Sequence, residues 1–413
     1  MRKATLDGEQ VSLRAEGAKI VALGPGVEAQ AGDDVVEGEG LALVPGLVNA
    51  HTHAAMTLFR GYADDLPLME WLERHIWPVE KRMDDDDVYW GTRLACVEMI
   101  RTGTVCFWDM YWHAQATARA VEDAGLRAVA AAPLIDQADP ERSARACADA
   151  ELSLDAIAAA GGGRARPGLA PHAIYSVSER SLRWVAATAA QRDLEVQIHL
   201  SETADEVERC LADHGVRPAF HLDACGVLGP RTVLAHGVYL DEAELELIAE
   251  RGATVVTNPV ANLKLAVGGL FPYPAARAAG VALGIGTDGA GSNNSLDLMD
   301  DLKAFALLQK NAAADPAAVT AAETLALGRG ELSPLLRSPP LEPGASADFL
   351  LVRSDSPELA LGSLDAGLVY AASGAVVDAT VVGGRVLMRD GVVADEAEVV
   401  ARARERAARL GLR

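Results

Sequence analysis

The chain has 413 residues, more than one ordinary domain needs; half are hydrophobic and 23% are charged, a balance that excludes disorder and permits a large core. Its 37 basic and 59 acidic side chains leave a net charge of −22, with an isoelectric point near 4.8. Such a surface repels phosphate backbones and anionic lipid heads, so no nucleic acid and no membrane is expected as a partner, while a homo-oligomer stays open.

Residues 1 to about 45 alternate short β-like runs with glycine turns: Val11-Ser12-Leu13-Arg14, then Lys19-Ile20-Val21-Ala22-Leu23 before Gly24-Pro25-Gly26. The pattern then changes to apolar runs separated by helical stretches such as Asp241–Arg251. These runs are Leu43–Ala50, Thr104–Asp109, Ala128–Ile135, Pro167–Pro171, Glu195–Leu200, Thr232–Ala235, Thr254–Thr257 and Val281–Ile285. Strands alternating with helices imply parallel pairing through right-handed crossovers, and eight such units fit a (β/α)8 TIM barrel better than an open doubly wound sheet, which the pattern alone leaves open. Gly161-Gly162-Gly163 is a loop. Beyond it, Asp348–Val352, Ala379–Val382 and Arg385–Met388 are strand-like, with Gly383-Gly384 between the last two as a hairpin signal. Neither terminal stretch can bury a sheet face alone, so residues 1–45 and 346–413 are expected to form one composite β-domain beside a catalytic barrel at 46–345. The end of the chain, Glu396 to Leu410, has the composition of a surface helix.

Five cysteines, Cys96, Cys106, Cys147, Cys210 and Cys225, form no C-x-x-C pair and argue for a reducing compartment. The N-terminus lacks the apolar stretch of a signal peptide and no apolar run approaches about 18 residues, so a cytoplasmic location is expected.

A barrel places its chemistry at the C-terminal ends of its strands. Five of the nine histidines fall there: His51 and His53 on the first, His172 on the fourth, His199 on the fifth and His236 on the sixth. Residues two apart on a strand face one side, so His51 and His53 could share a cation; a solvated or core-satisfied pair is the plain alternative. Asp288 ends the eighth strand, which adjoins the first when a barrel closes. That favours a metal-ligand role over a turn-forming one. The same stretch, Gly284-Ile285-Gly286-Thr287-Asp288-Gly289, matches G-x-G-x-x-G, but it comes late and is followed by loop residues, which speaks against dinucleotide binding. Glu202 follows His199 by three, which breaks strand parity. Thr203-x-x-Glu206 is expected to form a capping box there, which puts Glu202 at a strand-to-helix corner suited to proton transfer.

Pro45-Gly46-Leu47-Val48-Asn49-Ala50-His51-Thr52-His53 resembles the opening of the amidohydrolase superfamily. Met56-Thr57-Leu58-Phe59-Arg60-Gly61, Ile76-Trp77-Pro78-Val79-Glu80 and Asn258-Pro259-Val260-Ala261-Asn262-Leu263-Lys264 are similar to 5-methylthioadenosine/S-adenosylhomocysteine deaminases. The likeness runs from about residue 40 to 345, and the end segments fit that family's β-sandwich. It implies one divalent metal ion held by His51, His53, His199 and Asp288. Zinc (Zn2+) is usual, and Fe2+ or Mn2+ also suit such a donor set. Residues 164 to 178 hold no lysine that could bridge a second metal.

Further implications of the resemblance are that Glu202 shuttles protons, His236 helps hold the attacking water, His172 contacts the purine and Glu80 takes the ribose hydroxyls of a nucleoside substrate. Asp288 then has a catalytic role as well. Departures from the family are Gly237 where cysteine is usual, Ala261 where serine is usual, and Ala132-Pro133 where an arginine is expected; Arg142 in the nearby loop is the candidate replacement at the substrate's 5′ end. The implied reaction is hydrolytic deamination of 5-methylthioadenosine, S-adenosylhomocysteine or adenosine at C6. Alternatives that keep the metal site are aminodeoxyfutalosine deaminase, guanine deaminase and triazine hydrolase; a non-catalytic assembly barrel and a nucleotide-dependent oxidoreductase are alternatives of other classes.

Overall fold

A computed structural model describes every residue except Ala138, Gly161 and Arg413; Gly161 of the expected glycine loop therefore lies outside the described residues. Eight parallel strands follow one another around a barrel: Leu47–Thr52, Thr104–Met110, Arg127–Ala131, Ala165–Pro171, Glu195–Leu200, Thr232–His236, Thr254–Thr257 and Ala282–Ile285. Each is hydrogen-bonded to the next. Val48, Ala50, Trp108, Val129, Val233 and Val256 point inward, and Leu336 closes the cylinder from below. A larger apolar layer separates the strands from the surrounding helices.

The seam between the eighth and first strands is closed differently. Asn49 donates to Thr287 Oγ1 at 2.8 Å and accepts from the Thr287 amide at 3.1 Å. The Asp288 amide donates to the His51 carbonyl at 3.0 Å, and Thr52 Oγ1 to the Asp288 carbonyl at 2.8 Å. Gly286 makes this approach possible: a Cβ there would lie 2.6 Å from the His51 carbonyl oxygen.

Two expected strands are split. The run Leu43–Ala50 breaks at Gly46: Leu41–Pro45 belongs to the second sheet, and only Leu47–Thr52 enters the barrel. A Cβ on Gly46 would overlap the Val105 side chain, so the chain changes sheets where it is thinnest. The run Ala128–Ile135 becomes Arg127–Ala131 and a separate Pro133–Leu134 that pairs with the fourth strand, because Pro133 cannot donate to a ladder.

The second sheet has seven strands in the order Arg385–Met388, Val377–Val382, Phe349–Arg353, Leu41–Pro45, Ala4–Leu6, Glu9–Glu16 and Lys19–Gly24. The two chain ends meet where Leu351 pairs with Leu43. Leu13, Ile20, Leu43, Phe349 and Val381 fill one core drawn from both ends of that order, so the sheet folds over on itself as the small sandwich. From it the chain returns as a helix, Glu396–Leu410, that packs Val399, Ala403 and Leu410 against the barrel side. Among the described residues no helix is long and apolar enough to cross a membrane.

Candidate active site

The strand ends converge. His51 Nε2 lies 3.2 Å from His199 Nε2 and 3.6 Å from Asp288 Oδ1, and His53 Nε2 lies 3.1 Å from the same Asp288 oxygen. One donor atom each from His51, His53 and His199, and likewise from His51, His236 and Asp288, falls within 4.8 Å of the others. The expected ligand set is thus brought together, with His236 beside it.

The outer ring nitrogens are all engaged by oxygens. His51 Nδ1 donates to Gln197 Oε1 at 3.3 Å, and Gln197 presents that oxygen because its amide donates to the Asp109 carbonyl at 2.7 Å. His53 Nδ1 donates to the Met110 carbonyl at 2.6 Å, His199 Nδ1 to the His172 carbonyl at 2.9 Å, and His236 Nδ1 to Asn262 Oδ1 at 2.8 Å. Fixing a proton on Nδ1 leaves Nε2 as the inward lone pair, the tautomer that metal-binding histidines need. These donors fit a cation; two buried lone pairs at 3.2 Å, those of His51 and His199, otherwise repel each other.

Burial sets the titration of the cluster. It lowers His51 to about 4 and His199 well below the ordinary histidine value, so both stay neutral. Burial also opposes charge on His53, but the hydrogen bond to Asp288 and that carboxylate's field outweigh it and lift His53 to about 9, so with no cation its Nε2 holds a proton toward Asp288 Oδ1 that a bound metal would displace. For Asp288, burial is overcome by His51 and His53, which hold the carboxyl well below its usual range. Ser292 Oγ donates to Asp288 Oδ2 at 2.6 Å and leaves Oδ1 facing the imidazoles.

Backbone strain aims three of these side chains. Ser201, His236 and Asp288 have φ of 52°, 75° and 60°, in the left-handed region that non-glycine residues seldom adopt. The kink at Ser201 lets Glu202 reach the site despite broken parity: its Oε2 is 3.9 Å from His236 Nε2. Burial raises the Glu202 carboxyl above the ordinary value. The expected capping box is only half formed. Thr203 Oγ1 accepts from the Glu206 amide, but Glu206 accepts from the Ser201 and Glu202 amides, each at 2.9 Å, and so braces the corner itself.

Glu202, His236 and Asp288 open into a half-open cavity. Its far wall is aromatic, with Trp71, Trp77, Tyr111, Trp112 and Tyr175. Much of this wall is one covering segment: a helical turn Leu68–Trp71, a π-helical turn Leu72–Ile76 and a second α-turn Trp77–Glu80. Glu80 faces the cavity, accepts from Trp112 Nε1 at 3.2 Å, and has its carboxyl pushed up by burial. His172 lines the same space, bonded through Nδ1 to Ser176 Oγ at 2.9 Å; burial lowers it to about 3, so it is neutral. Arg142 lies elsewhere. It lines an adjoining outer cavity that shares Trp77, Glu80, Trp112, His172 and Tyr175, and it is tied to Gln137 and Asp139.

Sequence reasoning gave no orienting role to Gln197, the Met110 carbonyl or Asn262, which reach their imidazoles across 146, 57 and 26 residues, nor to Ser292, only four residues from Asp288, nor to the tryptophan wall. Lys264 sat in a quoted motif without a role. Its ammonium bonds Asp64 Oδ1 at 2.6 Å, Asn294 Oδ1 at 3.1 Å and the Gly291 carbonyl at 3.3 Å, tying the loop that leads into the covering segment to the loop after Asp288. The glycines of the G-x-G-x-x-G stretch serve close packing: a Cβ on Gly284 would lie 2.4 Å from Leu336, and one on Gly289 2.8 Å from Met56 Sδ. The next helix begins only at Leu298, so no helix opens inside the motif as a dinucleotide site requires. A second grouping joins exposed Glu179 and His214 to buried His221, with the two imidazoles stacked at 3.8 Å.

Closed parallel barrel and strand-end imidazoles together define a barrel hydrolase acting on C–N bonds. The chain belongs to the amidohydrolase family, whose profile matches residues 42–387. A 5′-deoxyadenosine deaminase of Methanoregula boonei is 45% identical over 379 residues, covering 91% of this chain and 86% of its own. A 5-methylthioadenosine/S-adenosylhomocysteine deaminase of Archaeoglobus fulgidus is 42% identical over 405 residues, 97% of this chain and 95% of its own. Among solved structures, a zinc-bound adenosine deaminase from Xanthomonas campestris superposes with a TM-score of 0.88 at 36% identity, covering 97% of this chain and 93% of that one. An atrazine chlorohydrolase from Arthrobacter aurescens, 23% identical with a TM-score of 0.86 over 97% of this chain and 95% of its own, shares the fold.

Proposed function

We propose that this chain is a metal-dependent hydrolytic deaminase of adenosine-type nucleosides, converting 5-methylthioadenosine, S-adenosylhomocysteine or adenosine to the inosine analogue and ammonia. The observation that carries the reading is the set of inward Nε2 lone pairs and one carboxylate oxygen, with Glu202 beside them at the floor of an aromatic cavity. His51, His53, His199 and Asp288 would hold a single divalent ion, zinc being the metal of the Xanthomonas campestris relative and Fe2+ or Mn2+ suiting the same donors. Such an ion supplies activation of a water for attack at neutral pH.

The protein's own groups do the rest. His236 has its Nδ1 proton committed to Asn262, so its Nε2 accepts a hydrogen bond from the attacking water and orients it. Asp288 takes the water's proton. Glu202, kept protonated to higher pH by burial, gives its proton to N1 of the purine as C6 is attacked, so negative charge does not build up on the ring. Asp288 then passes the proton it took to the exocyclic amine, the C6–N bond breaks to release ammonia, and the proton left on the C6 hydroxyl returns to Glu202 as the C6 carbonyl forms. His172 faces the purine as a neutral imidazole, and Glu80 takes the ribose hydroxyls. Arg142 stands in the outer cavity, where a 5′ substituent would emerge.

In this reading residues 46–345 form the catalytic unit and 1–45 with 346–413 the composite sandwich. The setting is cytoplasmic, in keeping with five cysteines that all carry free thiols. Ammonia release measured across adenosine analogues that differ only at the 5′ position, with metal analysis alongside, is the direct test. Turnover of s-triazines or guanine with none of any adenosine analogue would overturn the reading.

A further inference from the structure

The covering segment ends beside the C-terminal helix. Arg409, on the last turn of that helix, donates from Nε to Asp87 Oδ1 at 3.1 Å and from Nη2 to Asp87 Oδ2 and to the Arg82 carbonyl at 3.2 Å. The contact is reciprocal, since Arg82 Nη2 donates to the Leu410 carbonyl at 2.9 Å. Asp87 is fully buried and completes a capping box with Asp84 at the start of helix Asp85–Thr102. Around these bonds Leu410 and Leu412 join Val79 and Met83 in one apolar cluster that also holds Trp71 and Ile76 of the cavity wall. Glu80 lies between Val79 and Arg82, and its carbonyl accepts from the Met83 amide.

We propose that Arg409 is a positioning residue for substrate binding: by clamping the Arg82 carbonyl to the buried Asp87 carboxylate, the C-terminal helix fixes where Glu80 and the aromatic wall stand over the substrate. The proposal rests on the reading of Glu80 as a substrate contact. A bidentate guanidinium gives one fixed geometry, which a lysine's point charge does not. Arg406, one turn earlier on the same helix, pairs with Asp86 at 2.6 Å and has no hydrogen bond or ion pair to the covering segment among the described residues, which makes it the matched control.

The test is steady-state deamination of 5-methylthioadenosine by the full-length metal-loaded enzyme, with amide hydrogen exchange of residues 77–83. Arg409→Ala is expected to raise KM about tenfold while kcat stays within about twofold, the signature of binding lost equally from ground and transition states. Arg409→Lys recovers part of this, Arg406→Ala leaves KM unchanged, and exchange across 77–83 rises in Arg409→Ala alone. Arg82→Met removes the reciprocal bond from the exposed partner and gives the same KM rise if Arg409→Ala does not fold. Unchanged KM and exchange in Arg409→Ala, or an equal KM rise in Arg406→Ala, overturns the proposal. Faster exchange with unchanged KM in both Arg409→Ala and Glu80→Gln overturns the Glu80 reading instead, and leaves the clamp standing.

Discussion

His51 and His199 point their Nε2 atoms at each other across 3.2 Å, while Gln197 and the His172 carbonyl take the protons at their opposite ring nitrogens. Two such lone pairs attract the same thing, a cation, and four predictions follow the consequences outward from that pair.

His199→Ala and Asp288→Ala each remove a donor from the centre. Both are expected to lose bound metal and deamination together, read by metal analysis and ammonia release. In the unaltered protein, zinc at about a thousandfold over its dissociation constant should stabilise the fold by about 4 kcal/mol, and chelation should reverse this as a fall in the melting temperature. Full activity in chelated protein would contradict the centre.

In the proposed mechanism Glu202 must carry a proton to give one to the purine. Its carboxyl is raised by burial, so kcat/KM should hold up as pH climbs past the ordinary glutamate value and fall on the alkaline side as Glu202 ionises. Glu202→Gln should lower kcat by roughly 10²- to 10⁴-fold and erase that alkaline limb. A profile whose alkaline limb survives in Glu202→Gln assigns the proton to another group.

In the proposed reading Glu80 offers an ionisable carboxylate to the two vicinal ribose hydroxyls. Glu80→Gln should cost about 1.5–3 kcal/mol in binding ribonucleosides, roughly 10- to 100-fold in kcat/KM. It should have little effect on a 2′,3′-dideoxy analogue. Equal losses on both substrates would place the ribose elsewhere.

Gly237 follows His236 with φ of 63°, and a Cβ there would lie 2.7 Å from Val255 Cγ1. Gly237→Ala is therefore expected to destabilise the fold by about 1–3 kcal/mol, measured by denaturant unfolding, with metal content unchanged. A neutral effect would mean that the strand end relaxes more easily than its packing indicates.

What could be read from the chain follows from how far each signal travels. The parity of His51 and His53, the helix start behind Glu202 and the alternation of strands with helices are encoded within a few residues, and those features stand where the sequence puts them. Asp288 was legible only through closure of the barrel, because it meets the first strand across more than 230 residues. The split at Gly46 was signalled locally by Pro45-Gly46 inside the run, but the apolar residues on either side do not tell which of two sheets each one enters. The partners of the outer ring nitrogens were illegible: Gln197 and Asn262 are ordinary polar residues until the fold sets them against an imidazole. Glu206 shows a local motif overridden. Its spacing from Thr203 suits a capping box, but the strained turn at Ser201 offered two amides closer to hand.

The stitched seam between the first and eighth strands gives the centre a part in holding the cylinder shut. His51 and Asp288 stand on opposite lips of the one joint that lacks a continuous strand ladder, and an ion gripping both would rivet that joint from the inside. The same two strand ends that close the tube also form its reactive mouth, so opening that joint would separate His51 from Asp288.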